Sequence, residues 1–254
     1  MKKIFYFVAL VTLSLLFVQC EKNNDEITNE KHEYIDLGLS VKWATCNVGA
    51  TTPEQYGDYF AWGEVKPKSY YDWGNYKYCI GTESTLTKYC FDSEYGKNGF
   101  TDDKTILDLE DDAAHVNWGG NWRMPTREEF EELLHPANTD LCLVSKNDVK
   151  GYLVVSKKNG NTLFLPAAGF KLADEVTGVE DEYYYWTSEH AEEGLGVANV
   201  VGNFYGSLDV RPFNRPIGCT IRPVLAKTLD YTISFNANGA EGEMADIDAK
   251  YAQI

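Results

Sequence analysis

Side chains able to do chemistry are few in this chain and widely spread. Cysteine occurs at Cys20, Cys46, Cys79, Cys90, Cys142 and Cys219. None of these forms a Cys-x-x-Cys pair, so neither a zinc knuckle nor a thioredoxin-like couple is indicated. Cys79 and Cys90 flank Ile80 to Tyr89 in an irregular stretch. In an oxidising compartment a local disulfide between them is expected, the alternative being two free thiols. The histidines are His32, His115, His135 and His190. His190 follows Ser188 and Glu189, yet no Gly-x-Ser-x-Gly turn exists to present a nucleophile. His115 reads as a helix-face residue, and His135 as a cation favoured at a helix C-terminus. Asp102-Asp103 and Glu110-Asp111-Asp112 are dense in carboxylates but lack the spacing of a calcium loop. They read as solvated or helix-capping groups, so neither a metal nor a cofactor is expected.

Aromatic side chains offer a different chemistry. They make up 14% of the 254 residues and gather in Tyr70-Tyr71-Asp72-Trp73-Gly74-Asn75-Tyr76-Lys77-Tyr78 and in Tyr183-Tyr184-Tyr185-Trp186. A flat apolar face with a polar edge suits stacking on a sugar or anchoring a protein. It suits equally the pinning of long loops to a sheet, and for Tyr70 to Tyr78 that is the preferred reading. The net charge of −16 excludes a nucleic-acid partner, which needs clustered Lys and Arg. It also disfavours adsorption to an anionic membrane surface.

The elements that must position these groups centre on Trp118 to Leu134. Thr126 and Glu129 stand at capping-box spacing, with Pro125 before the cap and Phe130 four positions into the helix. Phe130, Leu133 and Leu134 make one apolar stripe, and Pro136 stops the helix. A first short helix is expected over Asp108 to Val116, with Leu109, Ala113 and Val116 on one side. Strands are expected over Tyr34 to Leu39, Val41 to Val48, Tyr59 to Trp62, Tyr183 to Ser188, Val197 to Val201 and Cys219 to Val224. A hairpin is expected from Tyr152–Ser156 and Thr162–Leu165 around Asn159-Gly160, the pair favoured in tight turns. Gly63 to Asp103 shows no period and reads as a long surface excursion. Lys171 to Glu182 and Gly202 to Gly218 read as loops.

Several stretches together resemble the Fibrobacter succinogenes major paralogous domain. They are Asp36-Leu37-Gly38-Leu39-Ser40-Val41-Lys42-Trp43-Ala44-Thr45-Cys46-Asn47-Val48-Gly49-Ala50, Gly57-Asp58-Tyr59-Phe60-Ala61-Trp62-Gly63-Glu64, Asp111-Asp112-Ala113-Ala114, Trp118-Gly119-Gly120-Asn121-Trp122-Arg123-Met124-Pro125-Thr126 and Ile221-Arg222-Pro223-Val224. The resemblance runs from Tyr34 to Leu225. It implies an α+β, C-type-lectin-like domain: two short helices packed on antiparallel sheet, with long irregular loops. In that fold ligands meet the loops between the late strands, which points to Tyr183, Tyr185, Tyr205, Arg211, Phe213, Asn214 and Arg215. Formylglycine-generating enzymes are similar in fold, but their chemistry needs a close cysteine pair with copper, and Cys219 stands alone. Sugar-binding C-type lectins hold calcium with paired Asn and Asp, which Trp186-Thr187-Ser188 lacks.

The two ends read differently. Lys2, Lys3 and the apolar run Ile4 to Val18 form a signal peptide, residues 1–19. Phe17-Val18-Gln19-Cys20 resembles a lipobox, which implies lipidation at Cys20, with residues 20–33 as a polar tether. Glu21, Asp25 and Glu26 resemble the surface-export signals of Bacteroidota lipoproteins, implying an outer-membrane protein displayed at the cell surface. Residues 34–227 form the domain. Tyr231 to Gly239 resembles the start of a Listeria–Bacteroides repeat, so residues 228–254 read as part of a β-grasp-like module.

The expectation is therefore a lipid-anchored envelope protein that is not an enzyme. It binds a glycan or an envelope or host protein through its late-strand loops. The alternatives are a structural or fimbria-like envelope component and a formylglycine-generating type of enzyme with altered chemistry.

Overall fold

A computed structural model describes residues 32–191, 196–204, 207–233 and 247–252, with the side chains of 204, 207, 228–233 and 247–252 left aside. The signal peptide, Cys20 and the tether lie outside the described residues. No helix among the described residues is long and apolar enough to cross a membrane.

The architecture is mainly antiparallel sheet with two short helices, an α+β arrangement. In order come β1 (Tyr34–Ile35), β2 (Val41–Ala44), α1 (Ala113–Trp118), β3 (Trp122–Arg123), α2 (Arg127–Leu134), β4 (Thr139–Lys146), β5 (Val149–Ser156), β6 (Thr162–Pro166), β7 (Phe170–Leu172), β8 (Glu175–Thr177), β9 (Tyr184–His190), β10 (Val197–Phe204), β11 (Ser207–Asn214), β12 (Val224–Ala226), β13 (Thr228–Ile233) and β14 (Ile247–Ala252). One sheet has the order β1-β2-β12-β3, so strands from the two ends of the domain lie side by side. Two others run β11-β10-β9 and β4-β5-β6, and β7-β8 and β13-β14 form hairpins.

Strand β9 lies between two apolar clusters. Tyr184 and Trp186 enter one with Trp62, Tyr76, Tyr89 and Val200, whereas Tyr183 and Tyr185 enter the other with Trp43, Phe130, Val154 and Leu163. Successive side chains of a strand point to opposite faces, so a strand buried on both sides reads as a continuous aromatic run.

Helix α2 starts as expected. Thr126 Oγ1 accepts from the Glu129 amide at 3.2 Å, and the Thr126 amide donates to Glu129 Oε2 at 2.8 Å. The same carboxylate takes both terminal nitrogens of Arg123 at 2.6 and 2.8 Å, tying β3 to the cap. Phe130 packs on Trp43 with ring centres 4.9 Å apart.

Other elements differ from expectation. The first helix divides into a 3-10 turn, Leu109–Asp111, and α1, because the buried Asp112 carboxylate caps α1 by accepting from His115 N. Its second oxygen takes the Met124 amide at 2.8 Å. Leu109 and Val116 are exposed, and Ala113 and Ala114 face the core instead. The strand expected over Tyr34 to Leu39 stops at Ile35, where Asp36 Oδ1 accepts from Gly38 N and Gly38 takes a φ of 74°. Strand β2 stops at Ala44 because the carbonyls of Ala44 and Thr45 turn inward to Arg222. Gly202 to Gly218, expected as a loop, contains the end of β10 and all of β11, paired from Val197↔Asn214 to Phe204↔Ser207. Lys171 to Glu182 likewise contains the β7–β8 hairpin.

The β5–β6 hairpin forms, but its turn is longer than two residues. Ser156 N bonds Asn161 O, and only Gly160 of the turn has positive φ. A two-residue turn occurs instead between β4 and β5. Asn147 and Asp148 both have positive φ, 50° and 64°, and close the pair Lys146↔Val149, a type I′ geometry.

Candidate functional site

A cleft at the late-strand end lies between the tip of the β4–β5 hairpin and the entry to β9. It measures about 420 Å³ and is lined by Leu143, Val144, Ser145, Lys150, Tyr152, Glu180, Asp181, Tyr183 and Asn203. That volume lies within the range of small-ligand sites. Its floor is a tilted pair of rings, Tyr152 and Tyr183, with centres 4.7 Å apart and planes at 48°. Tyr152 lies two residues before the buried Val154, so it shares the core face of β5 and packs, partly buried, at the margin of the core. Asn203 on β10 fixes the approach to β9 by accepting from Tyr183 N at 3.0 Å and donating to Asp181 O at 3.0 Å. The rim carries both charges, with Lys150 3.6 Å from Asp181 in an exposed pair. Burial pushes the Tyr183 hydroxyl well above its ordinary range, so it stays a neutral donor and acceptor.

The seven residues expected to meet a ligand are dispersed by the fold. Tyr183 is nearly buried and contributes to the cleft floor. Tyr185 is buried and donates its hydroxyl to Pro166 O at 2.7 Å, so it is a core residue and not a surface one. Tyr205 lies outside the described residues. Arg211 is exposed and ion-paired with Asp209 at 2.8 Å, and Asn214 is exposed at the end of β11. Phe213 is partly buried and stacks on Tyr184 with centres 4.8 Å apart. Arg215 is fully buried. It donates to Val197 O and Tyr89 O, and its guanidinium lies over Trp62 at 4.8 Å. It is therefore a strut between loops, not a ligand contact.

None of Cys79, Cys90 and Cys219 is presented as a reactive thiolate, since burial raises all three thiols. The staple expected between Cys79 and Cys90 is not formed, and both are free thiols. Cys79 Sγ faces Trp73 O and Cys90 Sγ faces Asp92 O, each at 3.1 Å. Cys219 is fully buried, and burial pushes its thiol far above the range in which a thiolate forms.

Carboxylates gather at Asp108, Glu110 and Asp111, with oxygens within 4.8 Å of one another. A lysine occupies that centre: Lys88 Nζ lies 2.7 Å from Asp108, 3.4 Å from Glu110 and 2.5 Å from Asp111. Burial alone would raise the Asp111 carboxyl, but hydrogen bonds from Lys88, Tyr89 and Lys77 hold it well below the usual carboxylate range. Glu110, Asp111 and Asp112 thus serve ion pairs and a helix cap.

A second cleft of about 380 Å³ opens at the start of α2, lined by Thr105, Arg127, Glu128, Glu131, Glu189, His190 and Asn199. Glu189 accepts from Arg127 N at 2.7 Å, and burial raises its carboxyl. The His190 ring stacks on Phe91 and holds Ala191 O at 2.9 Å through Nδ1. This cleft is walled by charged groups and lacks an aromatic floor, so the first is the better binding site.

Sequence reasoning missed Tyr152, Lys150, Glu180, Asp181 and Asn203. The alternation around Val154 was the one signal that could have placed Tyr152. No family model, no curated protein and no solved structure matches this chain.

Proposed function

We propose that this chain is a non-catalytic, lipid-anchored envelope protein whose C-type-lectin-like domain binds a glycan in the cleft between the β4–β5 hairpin and β9. The observation that carries this is the Tyr152–Tyr183 ring pair beneath a rim of Lys150, Glu180, Asp181 and Asn203. A sugar ring has apolar C–H faces for an aromatic floor and hydroxyls for charged and amide groups around it. Lys150 and Asp181 are exposed and close enough to share one hydroxyl group between them. The reading as a binder and not an enzyme is supported by the buried, protonated Cys219 and by the lysine filling the acidic cluster. Anchoring through Cys20 at the outer membrane, facing outward, is part of the same proposal and rests on the lipobox-like sequence.

The test is a glycan array probed with the full chain, beside a Tyr152→Ala, Asp181→Asn variant with an unchanged melting temperature. The expected result is binding to a restricted set of glycans that the variant loses. Equal binding by the folded variant would exclude the cleft, and an array with no hits would exclude a glycan.

A further inference from the structure

Strand β4 has a free edge. Among the described residues it pairs with β5 alone, at the margin of the β4-β5-β6 sheet. Natural edge strands are commonly blunted by bulges, prolines or inward-pointing charges. Here all eight residues pair continuously from Thr139↔Ser156 to Lys146↔Val149, with no bulge and no proline. At its centre Leu143 is 69% exposed, the highest value for any large apolar side chain among the described residues.

The turn fixes which backbone groups face outward. In a two-residue hairpin the closing pair, Lys146↔Val149, exchanges both hydrogen bonds. By alternation Val144, Cys142 and Asp140 also bond to β5. The amides and carbonyls of Leu141, Leu143 and Ser145 therefore point to the open edge.

We infer that this edge pairs antiparallel with β4 of a second copy of the chain, about a two-fold axis at Leu143. Only registers that oppose outward-facing residues can form the ladder. Of these, the one that sets Leu143 against its own equivalent also sets Asp140 against the partner's Lys146, twice. These sit in non-hydrogen-bonded positions, where opposed side chains are closest. Shifting the register by two residues, the smallest change that still opposes outward-facing residues, would set Asp140 against Val144 and lose both ion pairs. Asp140 and Lys146 already touch Lys157 and Glu54 at 2.9 and 2.8 Å within one copy. Both remain about half exposed or more, so the new pairs extend those contacts into a network. Charge also selects this site. The protein carries −16 overall, but the hairpin from 139 to 150 holds Asp140 and Asp148 against Lys146 and Lys150 and is neutral. Two acidic copies are least repelled where their approaching surfaces carry no net charge. The result is a six-stranded sheet, β6-β5-β4 continued by its symmetry mate.

The same register supplies a specific test. It opposes Cys142 to the partner's Val144 in a non-hydrogen-bonded pair, with Cα atoms about 4.5 Å apart, a spacing that a disulfide spans. The full chain carrying Val144→Cys, expressed in cells in two differently tagged copies and treated with a mild oxidant, is expected to give a covalent dimer containing both tags. Adding Cys142→Ser should abolish it. Leu143→Pro should also abolish it while leaving the β4–β5 ladder intact, because the lost amide points outward. If that proline disturbs folding, charge reversal decides the matter: Asp140→Lys or Lys146→Asp alone should lose the dimer, and the two together should restore it. No covalent dimer with Val144→Cys, a dimer that survives Leu143→Pro in folded protein, or a cross-link to a different protein would overturn the inference.

Discussion

Two regions of this protein bring aromatic side chains into the core by different means. The excursion from Gly63 to Asp103 has almost no regular secondary structure, yet it sends several of its large side chains into the core. Tyr71, Tyr76, Tyr78, Leu86, Tyr89 and Cys90 are each at most 5% exposed. The late stretch from Tyr183 to Arg215, expected to present ligand loops, is mostly regular antiparallel strand with Tyr185, Trp186 and Arg215 inside. The difference lies in where the backbone groups find partners. In the late strands they bond to one another along a ladder. In and beside the excursion, side chains share that work with scattered backbone bonds such as Leu86 N to Tyr95 O: the hydroxyls of Tyr71, Tyr76 and Tyr78 donate to the carbonyls of Tyr59, Trp62 and Gly63. Asp102 takes the amides of Tyr89 and Cys90. A segment without period can be core when its polar side chains satisfy the backbone that it buries.

The late strands are also latched to the excursion and to the Phe60–Trp62 segment that leads into it. The Trp62 indole donates to Thr187 O, and the Trp186 indole donates back to Phe60 O, at 2.9 and 2.8 Å. Arg215 adds its bond to Tyr89 O and accepts from Trp62 N on its own carbonyl.

The most damaging break in this comparison is Asp111→Ala. It leaves Lys88 and the Tyr89 hydroxyl without their shared acceptor. Removing one partner of a buried pair costs about 3–5 kcal/mol, and Lys88, which is partly exposed and keeps Asp108 at 2.7 Å, puts this case at the low end, no more than about 3. Denaturant titration gives the loss, and hydrogen exchange should rise in the excursion before the late strands. The acid limb of stability gives a further check. A carboxyl held below its unfolded value stabilises the fold above that value, about pH 3.9, and the contribution fades as pH falls through the depressed pKa. Asp112, raised mainly by burial, contributes with the opposite sign, since its protonated form suits the fold. Wild-type stability should therefore fall on acidification where Asp111 outweighs Asp112, and Asp111→Asn should flatten or invert that slope.

Arg215→Met should cost less, about 2 kcal/mol. It strands the carbonyls of Val197 and Tyr89 but also removes a guanidinium that burial has made easier to deprotonate. Exchange should rise at both ends of the strut. A rise confined to one region would show that Arg215 belongs to that region and does not join the two.

The smallest effect lies outside both regions. Thr126→Ala removes a cap bond and should cost about 1 kcal/mol by thermal or denaturant melt. Glu129 keeps the Thr126 amide and Arg123, so α2 remains in place. A loss well above that would mean that the threonine hydroxyl holds more than the Glu129 amide.

Legibility followed the range of the interactions. The α2 cap, its apolar stripe, the β5–β6 hairpin and the α+β class could be read because each depends on neighbours a few residues apart. Strand β4 gave little signal, since most of its residues are exposed and only its pairing to β5 defines it. The run Tyr183 to Trp186 was legible as aromatic, but the same chemistry fits a ligand surface or a strand between two cores. Which one holds depended on Trp62, over a hundred residues earlier, and on Trp43 and Phe130 on the opposite face.

The cleft shows the same division. Tyr183 was nominated from sequence, but Tyr152 came to face it only through pairing β5 with β6 and docking that sheet beside β9. The sequence by itself determined the local pieces: caps, turns, apolar stripes, an acidic surface and the absence of a close cysteine pair. The tertiary structure alone decided which aromatics are floor and which are core, that Arg215 is a strut, and that Lys88 fills the carboxylate cluster. Those outcomes depend on contacts between residues distant in the chain, whose free energies no local pattern encodes.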